Sequence, residues 1–259
     1  MELTHSYNSV LITGASSGIG KALAEKLSAT GTKVLFLCAR DSARLSEVAE
    51  TCRSMGAEVH QNVIDVKDKD ALSNWMYDCD SIFPIELVFA NAGVATGPED
   101  DSNNVRNTFN INVIGVVNTV LPAIELFRKR PDSAKNKGQI AITASIAGYH
   151  GLPSCPAYSA TKACVKAWGE GLRGMLAREN IRVNTICPGF IRSRITDKNT
   201  CRMPFFMEAD AAAEIIIHRL SKNIGLIAFP WPMRFAVWAM SVLPNRLSDA
   251  IYAKIPEKV

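Results

Sequence analysis

Charge of either sign is thin in this chain. Lys and Arg number 29 against 25 Asp and Glu, a formal net charge of +4, and the basic residues are scattered. Nucleic-acid binding usually demands a dense basic stripe, so nucleic acid is not expected as a partner. Histidine is scarce. His5, His60, His150 and His218 are the only four, and none shows the partner arrangement of a Ser-His-Asp hydrolase or the ligand spacing of a metal site. No metal is expected. The seven cysteines form no C-x-x-C pair, which removes the usual redox and zinc signatures. Cys155 and Cys164 flank Tyr158 and invite a nucleophile reading, but free cysteines are commonly small buried hydrophobes. Such usage suits a reducing compartment, and a cytoplasmic location is expected.

Long apolar runs are missing too. The most apolar late segment, residues 235–243, has nine residues, against the roughly 20 that a spanning helix needs. The first ten residues, M-E-L-T-H-S-Y-N-S-V, carry neither a basic n-region nor an apolar stretch, so no signal peptide is read. What remains is ordinary for a globular enzyme: 259 residues, 47% hydrophobic and 21% charged. That suffices for one large domain with a sizeable core. A single domain over residues 1–259 is expected.

Short apolar runs alternate with longer amphipathic stretches. Strands are predicted at 9–13, 33–38, 57–63, 85–90, 138–143 and 182–186. Helices are predicted at 18–30, 42–55, 69–79, 108–129 and 158–179. This alternation implies right-handed crossovers and a parallel sheet covered on both faces. The predicted fold is therefore α/β, a Rossmann-like doubly wound sheet with its crevice at the carboxyl ends of the strands. Gly14, Arg40, Asp65, Asn91, Ser145 and Pro188 each follow a predicted strand. From about Ile195 to Val259 the pattern changes, and a substrate-covering lid plus a packing or interface element is expected.

Two clusters carry chemistry. The first is T-G-A-S-S-G-I-G at residues 13–20, lying between a strand and a helix, the context that gives such a turn meaning. Gly14 permits the turn, Gly18 lets backbone approach a pyrophosphate, and Gly20 packs the helix on the sheet. The helix N-terminus that follows presents free N–H groups to phosphates, Ile19 is a further cofactor-binding candidate, and the Ser16 and Ser17 hydroxyls are candidate donors to a 2′-phosphate. The second is Tyr158 and Lys162 in Y-S-A-T-K, with Ser145 upstream. Positions i and i+4 share one helix face.

The spacing G-x-x-x-G-x-G, with Y-x-x-x-K, resembles the short-chain dehydrogenase/reductase family over residues 9–193. The resemblance implies a nicotinamide-dependent oxidoreductase acting on a carbonyl or alcohol. It implies Tyr158 as general acid or base, Ser145 holding the substrate oxygen, and Lys162 near the phenol and the nicotinamide ribose. Asn112, in N-I-N-V-I-G, resembles the asparagine that bends its helix and holds a relay water. Asp65-Val66 resembles the pair at the adenine. Asn91-Ala92-Gly93 resembles the N-A-G that closes a strand there, with Ala90 where the family has a further Asn. Pro188-Gly189-Phe190-Ile191-Arg192-Ser193 resembles the segment that meets the carboxamide, with Ile191 acting through its backbone and Ser193 replacing threonine. It also implies delivery of the pro-S hydride.

A free tyrosine titrates near 10, and lowering that by about three units needs roughly 4 kcal/mol. Lys162 and a positive nicotinamide ring are the available sources. The second strand exits through Arg40, whose guanidinium suits a 2′-phosphate. NADP(H) is therefore preferred, with NAD(H) the alternative, while Asp41 is read as a helix cap or a ribose ligand. The substrate is expected to be apolar, contacted from residues 146–156 and from Met203-Pro204-Phe205-Phe206-Met207, with Tyr149 and His150 as polar contacts. A ketoreductase for acyl, steroid or lipid-like ketones is a narrower alternative. A non-catalytic NADP(H) sensor is the rival from another class, and an epimerase or dehydratase of the longer related family is a third. A homo-dimer or homo-tetramer through the long helices is expected. The segment F-P-W-P-M-R-F-A-V-W-A-M-S-V-L-P is left open between packing on its own domain, joining a dimer, and weak contact with a membrane surface.

Overall fold

Near-continuous apolar runs such as S-V-L-I-T and V-L-F-L-C-A suit only strands buried on both faces. In the computed structural model, which describes residues 7–95, 101–197 and 203–252, that is where they lie. Strands β1 (Ser9–Thr13), β2 (Val34–Ala39), β4 (Leu87–Ala90) and β5 (Gly138–Thr143) are buried throughout. β3 (Glu58–Val63) reads E-V-H-Q-N-V and is largely exposed. It is an edge strand whose polar side chains discourage further pairing. β6 (Ile181–Pro188) and β7 (Leu226–Phe229) complete a seven-stranded parallel sheet in the order β3-β2-β1-β4-β5-β6-β7.

Helices cover both faces. α1 (Gly18–Ala29), α2 (Ser42–Ser54) and α7 (Ala209–Ser221) bury Leu23, Leu27, Leu45, Val48 and Ile216 on one side. On the other, α3 (Lys69–Ile82), α5 (Gly115–Arg128) and α6 (Pro156–Leu176) bury Leu72, Met76, Val120, Phe127 and Val165. The sheet order reverses between β1 and β4, and in doubly wound sheets ligands bind at that switch point.

The predicted elements up to β6 appear with shifts of one to three residues at most ends. The helix predicted at 108–129 differs. It starts earlier, as α4 (Ser102–Phe109), and passes through a π-helical turn at Asn110–Ile114 into α5. Residues 102–128 are apolar and long enough to cross a membrane, yet 61% of their apolar window is buried in the fold. The expected tail is corrected more substantially. α7 packs along α1 and β7 pairs with β6, so much of the presumed lid and packing element belongs to the body of the fold. Two more helices follow, α8 (Trp231–Val242) and α9 (Asn245–Tyr252). His5, Cys201 and the lid positions 198–202 lie outside the described residues.

Candidate active site

A cleft of about 670 Å³ opens at the carboxyl ends of the strands. Gly14, Ser16, Ser17, Gly18 and Ile19 line one part of it. Arg40, Asp65, Val66, Asn91, Ala92 and Gly93 line another, and Ser145, Tyr158, Lys162, Pro188, Gly189, Ile191 and Ser193 a third. Of the predicted catalytic and cofactor-binding residues only Gly20 and Asn112 are not on its wall, and both support it from behind.

The glycine turn is held from three sides. Gly14 and Ala15 donate their N–H groups to the Cys38 carbonyl at 2.8 and 3.1 Å, tying the turn to β2. Asn91 Nδ2 donates to the Thr13 carbonyl at 3.1 Å. Thr13 Oγ1 donates to Phe89 O and accepts from the N–H groups of Asn91 and Ala92. The side chain of Asn91 therefore serves the turn. Gly20 sits so close to this loop that an added Cβ would lie 2.3 Å from Gly14 O. α1 begins after Ser17 with no side-chain cap on its first N–H groups. Uncapped N–H groups at a helix N-terminus facing a cleft suit an anion.

At the end of β2, Arg40 is more than half exposed and touches Asp65 only loosely, Nη1 to Oδ2 at 3.9 Å. Asp41 is the N-cap of α2, accepting from Arg44 N at 3.0 Å, so the capping alternative holds. Arg44, which sequence reasoning missed, also lines the cleft. It pairs with Asp41 at 2.7 Å while its Nε is buried without a partner. Nothing but the helical spacing from Asp41 could have signalled it. Two guanidiniums at this corner, one with an unused donor, fit a phosphate. The uncapped α1 terminus and the close-packed glycines fit a pyrophosphate, so the residues present suit a nicotinamide dinucleotide.

Tyr158 and Lys162 project from the first turns of α6. Lys162 is buried and donates from Nζ to the Thr143 carbonyl at 2.9 Å. Its Nζ lies 5.7 Å from the centre of the Tyr158 ring. Burial lowers the Lys162 ammonium to about 8 and pushes the Tyr158 phenol up to about 12, the latter opposed by a hydrogen bond from Ser145. Ser145 is itself held, accepting from Ala147 N at 3.1 Å. Asn112 lies inside the π-helical turn. Its Oδ1 accepts from Val94 N at 2.8 Å, and its Nδ2 donates to Val94 O and to Thr161 Oγ1. Thr161 Oγ1 in turn donates to the Tyr158 carbonyl at 2.8 Å. Asn112 thus ties the bent helix to the cleft loop and to the helix that bears Tyr158.

The opposite wall depends on Thr196, also missed by sequence reasoning. Its buried hydroxyl accepts from Ser193 N and donates to the carbonyls of Ile191 or Ser193, each at 2.9 Å. The expected substrate contacts need correction. None of residues 203–207 lines the cleft. Met207 pairs through its main chain with Phe190 and Arg192, and Phe206 lies under the Arg192 guanidinium. Tyr149 lines a separate groove with Trp231 and Trp238. Apolar lining comes instead from Val94, Ala95, Ile111 and Ile195.

Competing chemistries find little support. The expectation that the chain has no G-x-S-x-G hydrolase elbow is wrong as to letters, since G-A-S-S-G at Gly14 to Gly18 satisfies that pattern. No histidine lines the cleft near Ser16 among the described residues. Cys155 is buried with its sulfur beside the Ser154 and Ser159 hydroxyls, and Cys164 is exposed and does not line the cleft. Burial raises the Cys187 thiol to about 12, which keeps it protonated. Among the described residues no three His, Cys, Asp or Glu side chains gather as a metal site would require.

With this geometry in hand, comparison with known proteins is specific. The family model for short chain dehydrogenase matches residues 8–203. An uncharacterized oxidoreductase of Myxococcus xanthus is 32% identical over 249 residues, covering 95% of this chain and 96% of its own. A short chain dehydrogenase from Burkholderia cenocepacia, solved in complex with NADP, superposes with a TM-score of 0.80 at 22% identity, covering 99% and 100% of the two chains. A short chain dehydrogenase/reductase from Burkholderia phymatum, solved with NAD, gives 0.78 at 25% identity, covering 100% and 99%.

Proposed function

The chain belongs to the short-chain dehydrogenase family and is an NAD(P)-dependent oxidoreductase; from that premise we propose that it moves a hydride between NADPH, in preference to NADH, and the carbonyl or alcohol of an apolar small molecule, with Tyr158 handling the proton. The observation that carries this reading is that Ser145, Tyr158 and Lys162 share one cleft with the glycine turn. When bound, the nicotinamide supplies or accepts the hydride. The residues of the chain do the rest. Burial holds the Tyr158 phenol protonated at neutral pH, ready to donate to a carbonyl oxygen. Ser145 donates to the same oxygen as its charge develops. Lys162, steadied on Thr143 O, brings the ammonium that favours the phenolate left behind. Exposed Ile114 and Leu121 on the long helix and Met175 on α6 support a homo-dimer or homo-tetramer through these faces.

Arg40 carries the cofactor preference. A hydrogen bond to a charged group contributes about 1.5–3 kcal/mol, so Arg40→Ala is expected to weaken NADPH binding by roughly 10- to 100-fold. NADH binding should change by less than about threefold, since it has no 2′-phosphate for a charge-assisted bond. Titration of both dinucleotides against both proteins decides the matter. Equal losses would remove Arg40 from the 2′-phosphate.

Lys162 sets an alkaline limit. A lysine lowered to about 8 is an ammonium below that pH and neutral above it. The value of kcat/KM for NADPH, which reports the free enzyme, is therefore expected to be flat at pH 6–7 and to fall tenfold per pH unit above about 8. A profile flat through pH 10 would take the Lys162 charge out of cofactor capture.

A further inference from the structure

α8 has an unusual environment for an apolar helix: not one of its twelve residues is buried. At 100° per residue, Trp231, Phe235, Trp238 and Val242 fall within an arc of about 60°, and their exposures are 72, 56, 51 and 63%. The three aromatic rings lie side by side, with centroid spacings of 6.2 and 5.9 Å. Met233 and Val237, on the opposite side, face the core. The helix is thus seated on the domain by one edge and turns its most apolar edge to solvent. Packing on its own domain does not account for this face.

We propose that this face docks on an anionic lipid surface, with the α8 axis in the membrane plane and the aromatic side chains at the headgroup boundary. Three observations favour lipid over a second copy of the chain. Residues 215–248 contain Arg219, Lys222, Arg234 and Arg246 but no Asp or Glu, so this stretch of the chain carries net positive charge. Arg234 lies on α8 beside the aromatic edge and lines the same groove as Trp231 and Trp238. Such a combination of aromatic edge and flanking cation is what an interfacial helix presents. The edge is also small. Twelve residues span about 18 Å, and a strip one helix wide offers far less than the roughly 800 Å² per partner of a standard protein interface. A bilayer needs no complementary surface.

The test is flotation of the full-length protein with vesicles of phosphatidylcholine alone, or of phosphatidylcholine and phosphatidylglycerol in equal parts. Wild type is expected to float with the mixed vesicles. The exposed pair Phe235→Ser and Trp238→Ser should lower the bound fraction about tenfold or more, while NADPH affinity and turnover stay unchanged and report an intact fold. Arg234→Gln should lower binding to the mixed vesicles about fivefold and leave weak binding to phosphatidylcholine as it was. Failure of wild type to float with either vesicle, or equal flotation of the serine pair, overturns the proposal. So does light scattering in which the serine pair turns an oligomer into a monomer, since the face would then belong to a second copy.

Discussion

Tyr158→Phe is expected to lower kcat for carbonyl reduction by about 10²–10⁴-fold, the usual contribution of a positioned acid, and to leave the NADPH dissociation constant within about twofold. The substitution removes one oxygen. The ring stays, so the packing of α6 on the cleft wall is retained. Lys162 keeps its bond to Thr143 O, which does not involve the phenol. Thr161 donates to the Tyr158 carbonyl and Asn112 to the Thr161 hydroxyl, so both are equally indifferent to the change. The loss should therefore fall on kcat, the signature of an interaction made in the transition state. Single-turnover oxidation of NADPH with any accepted ketone, beside a binding titration, separates the two quantities. Turnover near wild type would remove Tyr158 from proton transfer. A parallel loss of NADPH affinity would mean that the hydroxyl serves cofactor binding.

Most residues of this candidate cleft are legible in the sequence because they cluster locally. Tyr158 and Lys162 are one helical turn apart, and the glycines 14, 18 and 20 sit in a single loop. Strand β5, at Gly138–Thr143, is legible with its bounds because I-A-I is an apolar, β-branched core between Gln139 and Thr143. What escaped was non-local. The role of Thr196 arises from a chain reversal that brings its hydroxyl to the Ile191 carbonyl. The unused Nε of Arg44 depends on how Asp41 caps α2. The bend at Asn112 is implied by the family resemblance and not by the apolar pattern, and it takes the form of a π-helical turn. The tail misled for a different reason. β7 is only L-I-A-F, four residues, and α7 reads A-D-A-A-A-E-I-I-I, whose weak amphipathicity hides the contact with α1. Clusters of Trp, Phe and Met drew attention to a lid instead. Tyr149 shows the same limit, since neighbourhood to Ser145 in sequence placed it in the cleft and the loop turns it toward α8.

Gly18→Val is expected to weaken NADPH binding by about 100-fold, because two independent costs meet at one residue. Gly18 has a φ of +53°. A left-handed conformation costs an ordinary residue about 1–2 kcal/mol, and a β-branched one more. An added Cβ would also lie 2.9 Å from the Cβ of Ser193. That contact is with an atom fixed to the backbone, so the segment from Pro188 to Ser193 must retreat. The glycine turn and the opposite wall of the cleft would then lose their spacing together. The two costs can be separated. Ser193→Gly removes the opposing carbon, so Gly18→Ala should bind NADPH more tightly in the Ser193→Gly background than alone, after correction for Ser193→Gly itself. The affinity still missing measures the φ strain. Perfect additivity of the two substitutions would show that the walls do not touch through these carbons. Unchanged binding by Gly18→Val would place the pyrophosphate elsewhere, and the assignment of the α1 N-terminus would fall with it.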